Sequence, residues 1–597
     1  MAKLSREQEY AMQKAKEWVA DAQIETNDKE EIIELIETQN IKEITERFYK
    51  DLEFGTGGMR SILGMGTNRI NRYTIRRASH ALSLALKEYA PNLSQSIAIS
   101  YDSRKLSYEL AKEAACVFAA NGIKALLFKR LNPVPLLSYA IRHHKTGAGV
   151  MVTASHNPAS YNGFKVFWSN GAQVTPPQDQ EIIDHYYATN SLSEIKFINF
   201  EEAEEKGLIE WLDEETENHY HNAINQSIIR KQMCKEDGEK LKVIYTPLHG
   251  TGLIPCSRAL KEVGLTNFKV VLDQANPDHR FPTVKSPNPE NPEALEMAVD
   301  LMKKHQADIV MGSDPDTDRL GVAFIDYKKD PEKVYFLNGN QIGIILLHYI
   351  LKSKKELGEL PAKSFFVKTI VTTNLQSQIA KSYGVDAENT LTGFKWICRR
   401  VDEVLKAAPE KTFLFGTEES FGYLNHEHIR DKDGVSSLAL MAEVALYYKL
   451  QNKSLNDALD EIYEEHGFSG EYLLNLNYDG KEGSEKILRI MDFFRNYKES
   501  SFAGERIDKI EDYKQLTIIS KSDDRSEKIE GIPQSNVLGF IFEDQSKVYV
   551  RPSGTEPKIK FYIMVQENEG LLADKKVKAQ KRIDQILNFI NKTVENI

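Results

Sequence analysis

Asp314, Asp316 and Asp318 occupy every second position of the segment GSDPDTDR. In an extended chain alternate side chains point the same way, so three carboxylates would share one side and repel one another. A cation relieves that repulsion, and hard oxygen donors in this number suit Mg2+ or Ca2+. An EF-hand loop is excluded, because the sixth position is Arg319 rather than glycine and the twelfth is Ile325 rather than glutamate. The DxDx(T/V) pattern of phosphatases with an aspartate nucleophile is spoiled by Asp318 at the fifth position. The plain alternative is a solvated acidic turn. Against it stand the apolar run ADIVM that delivers the acids and the arginine that follows them.

A second candidate is TASHNP, residues 153–158, where an apolar run stops at Thr153. Ser, Asn and Pro are turn residues, so an ordinary turn is one reading. A Ser-His hydrolase is another, but adjacent serine and histidine seldom meet as nucleophile and base, and no GxSxG elbow is present. In a third reading Ser155 carries a phosphate of about −1.5 to −2 charge. That group needs a metal and a cation nearby, and the aspartates and Lys165 of NGFK can supply them.

RPSGTEPK (551–558) has the chemistry of an anion grip. Arg551 can hold a phosphate by two parallel hydrogen bonds. Ser553 and Thr555 offer hydroxyls, and the backbone around Gly554 can form an anion nest. There is no GxxxxGK[ST], so it is not a nucleotide P-loop; a hairpin turn is the plain alternative. In GTEESFGY (416–423), Glu418 and Ser420 suit a hydroxyl-rich ligand, although a helix N-cap would use the same residues.

The elements that must present these residues alternate. SIAISYDSR (96–104) reads as a strand ending in Asp102 and Arg104, SYELAKEAACVFAANG (107–122) as a helix, and KALLFKR (124–130) as a strand. The pattern restarts near 241 and again after 335, predicting three α/β domains with mostly parallel sheets whose strand ends carry the chemistry. Residues 1–50 read as a helical arm, and 546–566 as antiparallel strands followed by a charged helix, a smaller α+β domain. The expected divisions are 1–50, 51–204, 205–327, 328–465 and 466–597, within the range for 597 residues at roughly 100–200 per domain.

The net charge of −11 argues against a nucleic-acid partner. Four scattered cysteines without CxxC spacing argue against a disulfide framework or zinc site and fit a reducing cytoplasm. The start lacks an apolar signal core, and the longest apolar run, IGIILLHYIL (342–351), is too short to span a bilayer. A cytoplasmic protein without a membrane partner is expected; monomer and dimer both remain open.

Taken together and in this order, TASHNP, GSDPDTDR, GTEES and RPSGTEP resemble the phosphoserine, metal, sugar-binding and phosphate-binding loops of the α-D-phosphohexomutase family. LEFGTGGMR and TGFKW are similar to its longer branch, which includes phosphoglucomutase and phosphopentomutase activities. The resemblance implies three related α/β domains with mixed sheets and a smaller C-terminal α+β domain around one cleft, and an intramolecular phosphotransfer with glucose 1,6-bisphosphate as intermediate and activator. It implies that Ser155 carries the phosphate, that Ser155, Asp314, Asp316 and Asp318 hold one Mg2+, and that Arg60, His156 and Lys165 surround the reacting oxygens. It places Arg319, Lys395, Glu418, Ser420, Arg551, Ser553, Gly554 and Thr555 on the phosphosugar. Mannose-accepting bacterial members carry a histidine just after the sugar-binding serine, where this chain has SFGYL. Glucose phosphates are the expected substrates, with ribose and mannose phosphates as alternatives.

Overall fold

Apolar runs long enough to be buried on both faces form the inner strands of the sheets in the computed structural model of the chain. The structure describes residues 4–55, 57–478, 480–523, 525–553 and 558–597. Two compact units are formed, Met1–Gly339 with Ser420–Leu450, and Asn340–Glu419 with Gln451–Ile597.

The first unit begins with helices Arg6–Ala20, Thr26–Glu37 and Ile41–Phe48, whose apolar stripe packs against Tyr73. Its first sheet comprises β1 (Gly58–Ile62), β2 (Ser96–Tyr101), β3 (Lys124–Phe128), β4 (Ala148–Val152), β5 (Tyr161–Trp168) and β6 (Ile209–Leu212), in the order β1-β5-β4-β2-β3-β6. The second comprises β7 (Val243–Thr246), β8 (Phe268–Val270), β9 (Ile309–Gly312), β10 (Gly321–Asp326) and β11 (Asp330–Leu337), in the order β11-β10-β9-β7-β8. Ile97, Ile99, Val150 and Val152 are wholly or almost wholly buried, as expected of parallel strands covered on both faces.

The sheets are mixed, as the family resemblance implies, and so less parallel than the alternation of elements alone predicts. β2, β3, β4 and β6 pair in parallel, but β5 runs antiparallel to β4 and β1. Likewise β7, β8 and β9 are parallel, while β10 runs antiparallel to β9 and β11. The reason is length. The connections 153–160 and 313–320 are too short for a crossover, so each returns its chain as a neighbouring antiparallel strand. These two reversals are the serine loop and the aspartate loop.

In the second unit, Ser364–Thr369 pairs in parallel with Asp386–Thr390 and Thr412–Glu418. The C-terminal part is an antiparallel sheet in which Lys558–Glu567 lies between Phe468–Asn477 and Lys547–Pro552. Helix Leu572–Glu595 buries Ala579, Ile583, Ile586 and Ile590 against that sheet's apolar core. Among the described residues no helix is long and apolar enough to cross a membrane.

Candidate active site

The aspartate loop does not use strand alternation to gather its acids, contrary to the extended segment expected from the spacing. Residues 313–320 turn, and Thr317 takes a left-handed φ of 53°. Neighbouring backbone holds the turn: Thr251 N donates to Pro315 O at 2.8 Å, Val134 N to Asp316 O at 3.0 Å and Gly434 N to Thr317 O at 3.2 Å. Close approach requires glycine here, since a Cβ on Gly250 would lie 2.4 Å from Pro315 Cα. The turn brings the carboxylates together, with one donor atom from each of Asp314, Asp316 and Asp318 within 4.8 Å of the others. All three residues are buried.

Ser155 enters this cluster from the first sheet. Its φ is 52°, a left-handed conformation costing roughly 1–3 kcal/mol for a residue with a side chain. Surrounding bonds hold it there. Thr153 Oγ1 accepts from Ser155 N at 2.8 Å and donates to Asp102 Oδ2 at 2.6 Å. The Arg104 guanidinium, with a fully buried side chain, donates to the carbonyls of Ser155 and Asn157, and to those of Pro158 at 2.8 Å and Tyr161 at 3.1 Å. Arg104 also lies beside Asp102 and over the Phe281 ring. As a result Ser155 Oγ is 3.0 Å from Asp314 Oδ2 and 3.1 Å from His156 Nδ1. Adjacent serine and histidine therefore do meet here, because the strained backbone turns both side chains the same way.

Cations converge on the acids. Lys165, on β5, has Nζ 2.7 Å from Asp316 Oδ2 and 3.3 Å from Asp318 Oδ2. Lys432 Nζ is 3.1 Å from Asp318 Oδ2. Arg319 pairs with Glu290 and lies 3.9–4.0 Å from Asp318 and Asp314. Arg60 donates to Asn157 Oδ1 at 2.9 Å. Burial, then Asp318 and Asp316, push Asp314 well above the usual carboxylate range. Against the penalty of burial, Lys432, Lys165 and Arg319 hold Asp318 low. Burial, then Arg319 and Arg60, push His156 well below its ordinary value, leaving a neutral imidazole.

The donor set fits Mg2+. It consists of hard oxygens only, and Asp316 Oδ1 and Asp318 Oδ1 are buried without a hydrogen-bond partner among the described residues. Buried carboxylate oxygens left this way are costly unless a cation takes them up.

The remaining sequence candidates lie on other elements. Glu418 ends strand Thr412–Glu418 and is buried, while the adjacent Glu419 accepts from Thr369 Oγ1 at 2.9 Å. Ser420 follows in the first unit. Lys395 stands near the start of helix Phe394–Ala407, with Nζ 5.3 Å from the Trp396 ring centroid. Arg551 is opposite Lys560 in the C-terminal sheet, and Ser553 N donates to Lys558 O at 2.7 Å, closing the base of the hairpin. Gly554 and Thr555 lie outside the described residues.

Comparison with known proteins decides the family. Phosphoglucomutase/phosphomannomutase alpha/beta/alpha domains I, II and III match residues 51–192, 218–326 and 338–466. A phosphoglucomutase of Staphylococcus haemolyticus (strain JCSC1435) is 35% identical over 516 residues, covering 86% of this chain and 90% of that one. The chain belongs to the phosphoglucomutase/phosphomannomutase family. A phosphoglucomutase of Staphylococcus saprophyticus subsp. saprophyticus is 34% identical over 530 residues, 89% of this chain and 93% of that one. The fold is shared with a Burkholderia thailandensis phosphoglucomutase/phosphomannomutase family protein, at TM-score 0.62 and 17% identity over 90% of this chain and 97% of that one. It is shared too with the open form of Paramecium pp63/parafusin, at TM-score 0.64 and 16% identity over 91% and 96%.

As a member of the phosphoglucomutase/phosphomannomutase family the chain is a mutase-type isomerase. The sequence reading missed the functional weight of two site residues. Arg104 was visible only as a charge at a strand end; its four carbonyl partners lie more than fifty residues away. Lys432, in RDKDG, carried no spacing signal and reaches Asp318 only through the fold.

Proposed function

We propose that this chain is a phosphoglucomutase, interconverting glucose 1-phosphate and glucose 6-phosphate through a phosphoserine at Ser155. The observation carrying this reading is the contact of Ser155 Oγ with Asp314 Oδ2 inside a buried, cation-flanked set of carboxylates. Relatives named phosphoglucomutase, 34–35% identical over most of the chain, support the choice of sugar.

In the first half-reaction the P–O bond to Ser155 Oγ breaks as a bond forms to O6 of glucose 1-phosphate. The attacking hydroxyl gives up one proton, and Ser155 Oγ regains one. His156, with Nδ1 at 3.1 Å from Oγ, is placed to pass that proton. The bisphosphate then turns round, and its O1 phosphate returns to Ser155 with the reverse proton balance. Asp314, Asp316 and Asp318 would hold Mg2+, which when bound neutralises phosphate charge. Lys165, Lys432, Arg319 and Arg60 add positive charge around the transferring group, so alignment and electrostatics supply most of the rate. Glu418 and Ser420 are assigned to sugar hydroxyls, with Lys395 on the same ligand. Arg551 and Ser553, with Gly554 and Thr555, are assigned to the phosphate not being transferred. Loss of the bisphosphate would leave Ser155 bare, so glucose 1,6-bisphosphate acts as the activator.

Steady-state isomerisation of glucose, mannose and ribose 1-phosphates, each with its bisphosphate, tests the reading. The expected kcat/KM is at least about tenfold higher for glucose. A higher value for ribose 1-phosphate would make the chain a phosphopentomutase instead.

A further inference from the structure

Outside the aspartate cluster, a second group of side chains of ligand type lies in the unit formed by residues 340–419 and 451–597. His348 projects from helix Gly339–Glu356, and Glu465 and His466 end helix Leu455–His466. One donor atom from each lies within 4.8 Å of the others, and His466 Nε2 is 3.6 Å from Glu465 Oε1. His348 is 3% exposed and the His466 side chain 6%. His348 Nδ1 and His466 Nε2 are both enclosed without a hydrogen-bond partner among the described residues. Histidines that serve only as packing normally have their ring nitrogens satisfied. Here two unsatisfied nitrogens lie beside one carboxylate, the composition of a ligand set.

We propose that His348, Glu465 and His466 form a second cation site, selective for a divalent transition metal of the zinc class over Mg2+. Two imidazoles and one carboxylate suit Zn2+, Co2+, Ni2+ or Cu2+, whereas Mg2+ prefers oxygen alone. Tyr383 Oη is 3.5 Å from His348 Nε2. An Nε2–H directed at that oxygen leaves the Nδ1 lone pair for the metal, the usual outer-shell arrangement. Tetrahedral metal bonds of about 2.0–2.1 Å place donors roughly 3.4 Å apart. The exposed Glu465 side chain can close that distance and leaves a fourth position for water. Such a metal would tie the two helices together just before strand Phe468–Asn477 opens the C-terminal sheet.

The test is equilibrium dialysis of the full chain against Zn2+ in a large excess of Mg2+, repeated for Glu465→Gln and His466→Gln. Co2+ is the spectroscopic probe, through its visible d–d absorption. Glu465 is exposed, so its variant keeps the fold even if His466→Gln does not. The wild type should bind one more Zn2+ per chain than either variant, or bind it at least tenfold more tightly. Co2+ should give a tetrahedral spectrum that both variants lose, while turnover with Mg2+ stays unchanged in Glu465→Gln. Equal Zn2+ stoichiometry and affinity in the wild type and Glu465→Gln, with the same Co2+ spectrum, would overturn the proposal.

Discussion

Ser155 Oγ lies 3.0 Å from Asp314 Oδ2, although 159 residues separate the two in the chain. Each sits in a short reversal between a parallel strand and its antiparallel return, so two sheets present two loops to each other. A phosphate on Ser155 would meet the aspartate oxygens directly. Asp314→Asn keeps the size but removes the carboxylate that a bound cation would hold ionised. Turnover should fall about 10²–10³-fold, the usual cost of one electrostatic partner at the reacting group. Mg2+ affinity, read by calorimetry, should fall with it. Wild-type affinity in this variant would separate Asp314 from the metal.

Arg104 is expected to act through the serine loop rather than on the substrate. Its fork satisfies four carbonyls between Ser155 and Tyr161, and a lysine cannot reproduce that planar set. Arg104→Lys should lower kcat roughly 10–10²-fold through misplacement of Ser155, with KM within about twofold. A raised KM at unchanged kcat would place Arg104 in substrate binding instead.

Lys432 offers a test with opposite signs. Its ammonium neutralises Asp318 at 3.1 Å, so Lys432→Met leaves the cluster more negative. Mg2+ should bind about three- to tenfold more tightly, as expected for losing one nearby like charge in a partly screened site. Turnover should nevertheless fall, because a cation beside the transferring phosphate is gone. Weaker Mg2+ binding in this variant would contradict the electrostatic reading.

Glu471 gives a pH signature. Burial raises its carboxyl to about 7, partly opposed by hydrogen bonds from Ser469 and Thr373. Between the ordinary carboxylate value and about 7 the folded state holds a proton that the unfolded chain has lost. Stability should therefore fall as pH rises through that window and level off above it. Glu471→Gln should remove this slope and stabilise the protein at pH 8 by about 1–3 kcal/mol, read from denaturant melts at several pH values. An unchanged slope in the variant would show that Glu471 is ionised throughout.

The serine and aspartate loops that meet were legible because they are local: ASHNP and DPDTD are contiguous and unusual in composition. The α/β alternation was legible for the same reason, in runs such as SIAISY and AGVMV. What escaped was whatever depends on how short loops close. Turns of eight or so residues forced antiparallel returns that the helix–strand rhythm concealed. The aspartates converge through a left-handed Thr317 rather than by strand alternation. Ser155 and His156 meet because of a left-handed serine that bonds from Thr153 and Arg104 help to sustain. Lys432 and Arg104 gain their weight from partners remote in sequence, which spacing cannot reveal.

Labelled phosphoenzyme tests the role of Ser155 most directly. The protein is charged with radiolabelled glucose 1,6-bisphosphate, freed of ligand, and mixed with unlabelled glucose 1-phosphate under rapid quench. The label should leave the protein within one turnover, appear first in the bisphosphate and then in glucose 6-phosphate, and never charge Ser155→Ala. Label retained by Ser155→Ala, or released from the wild type as inorganic phosphate at the turnover rate, would contradict a phosphoserine mutase.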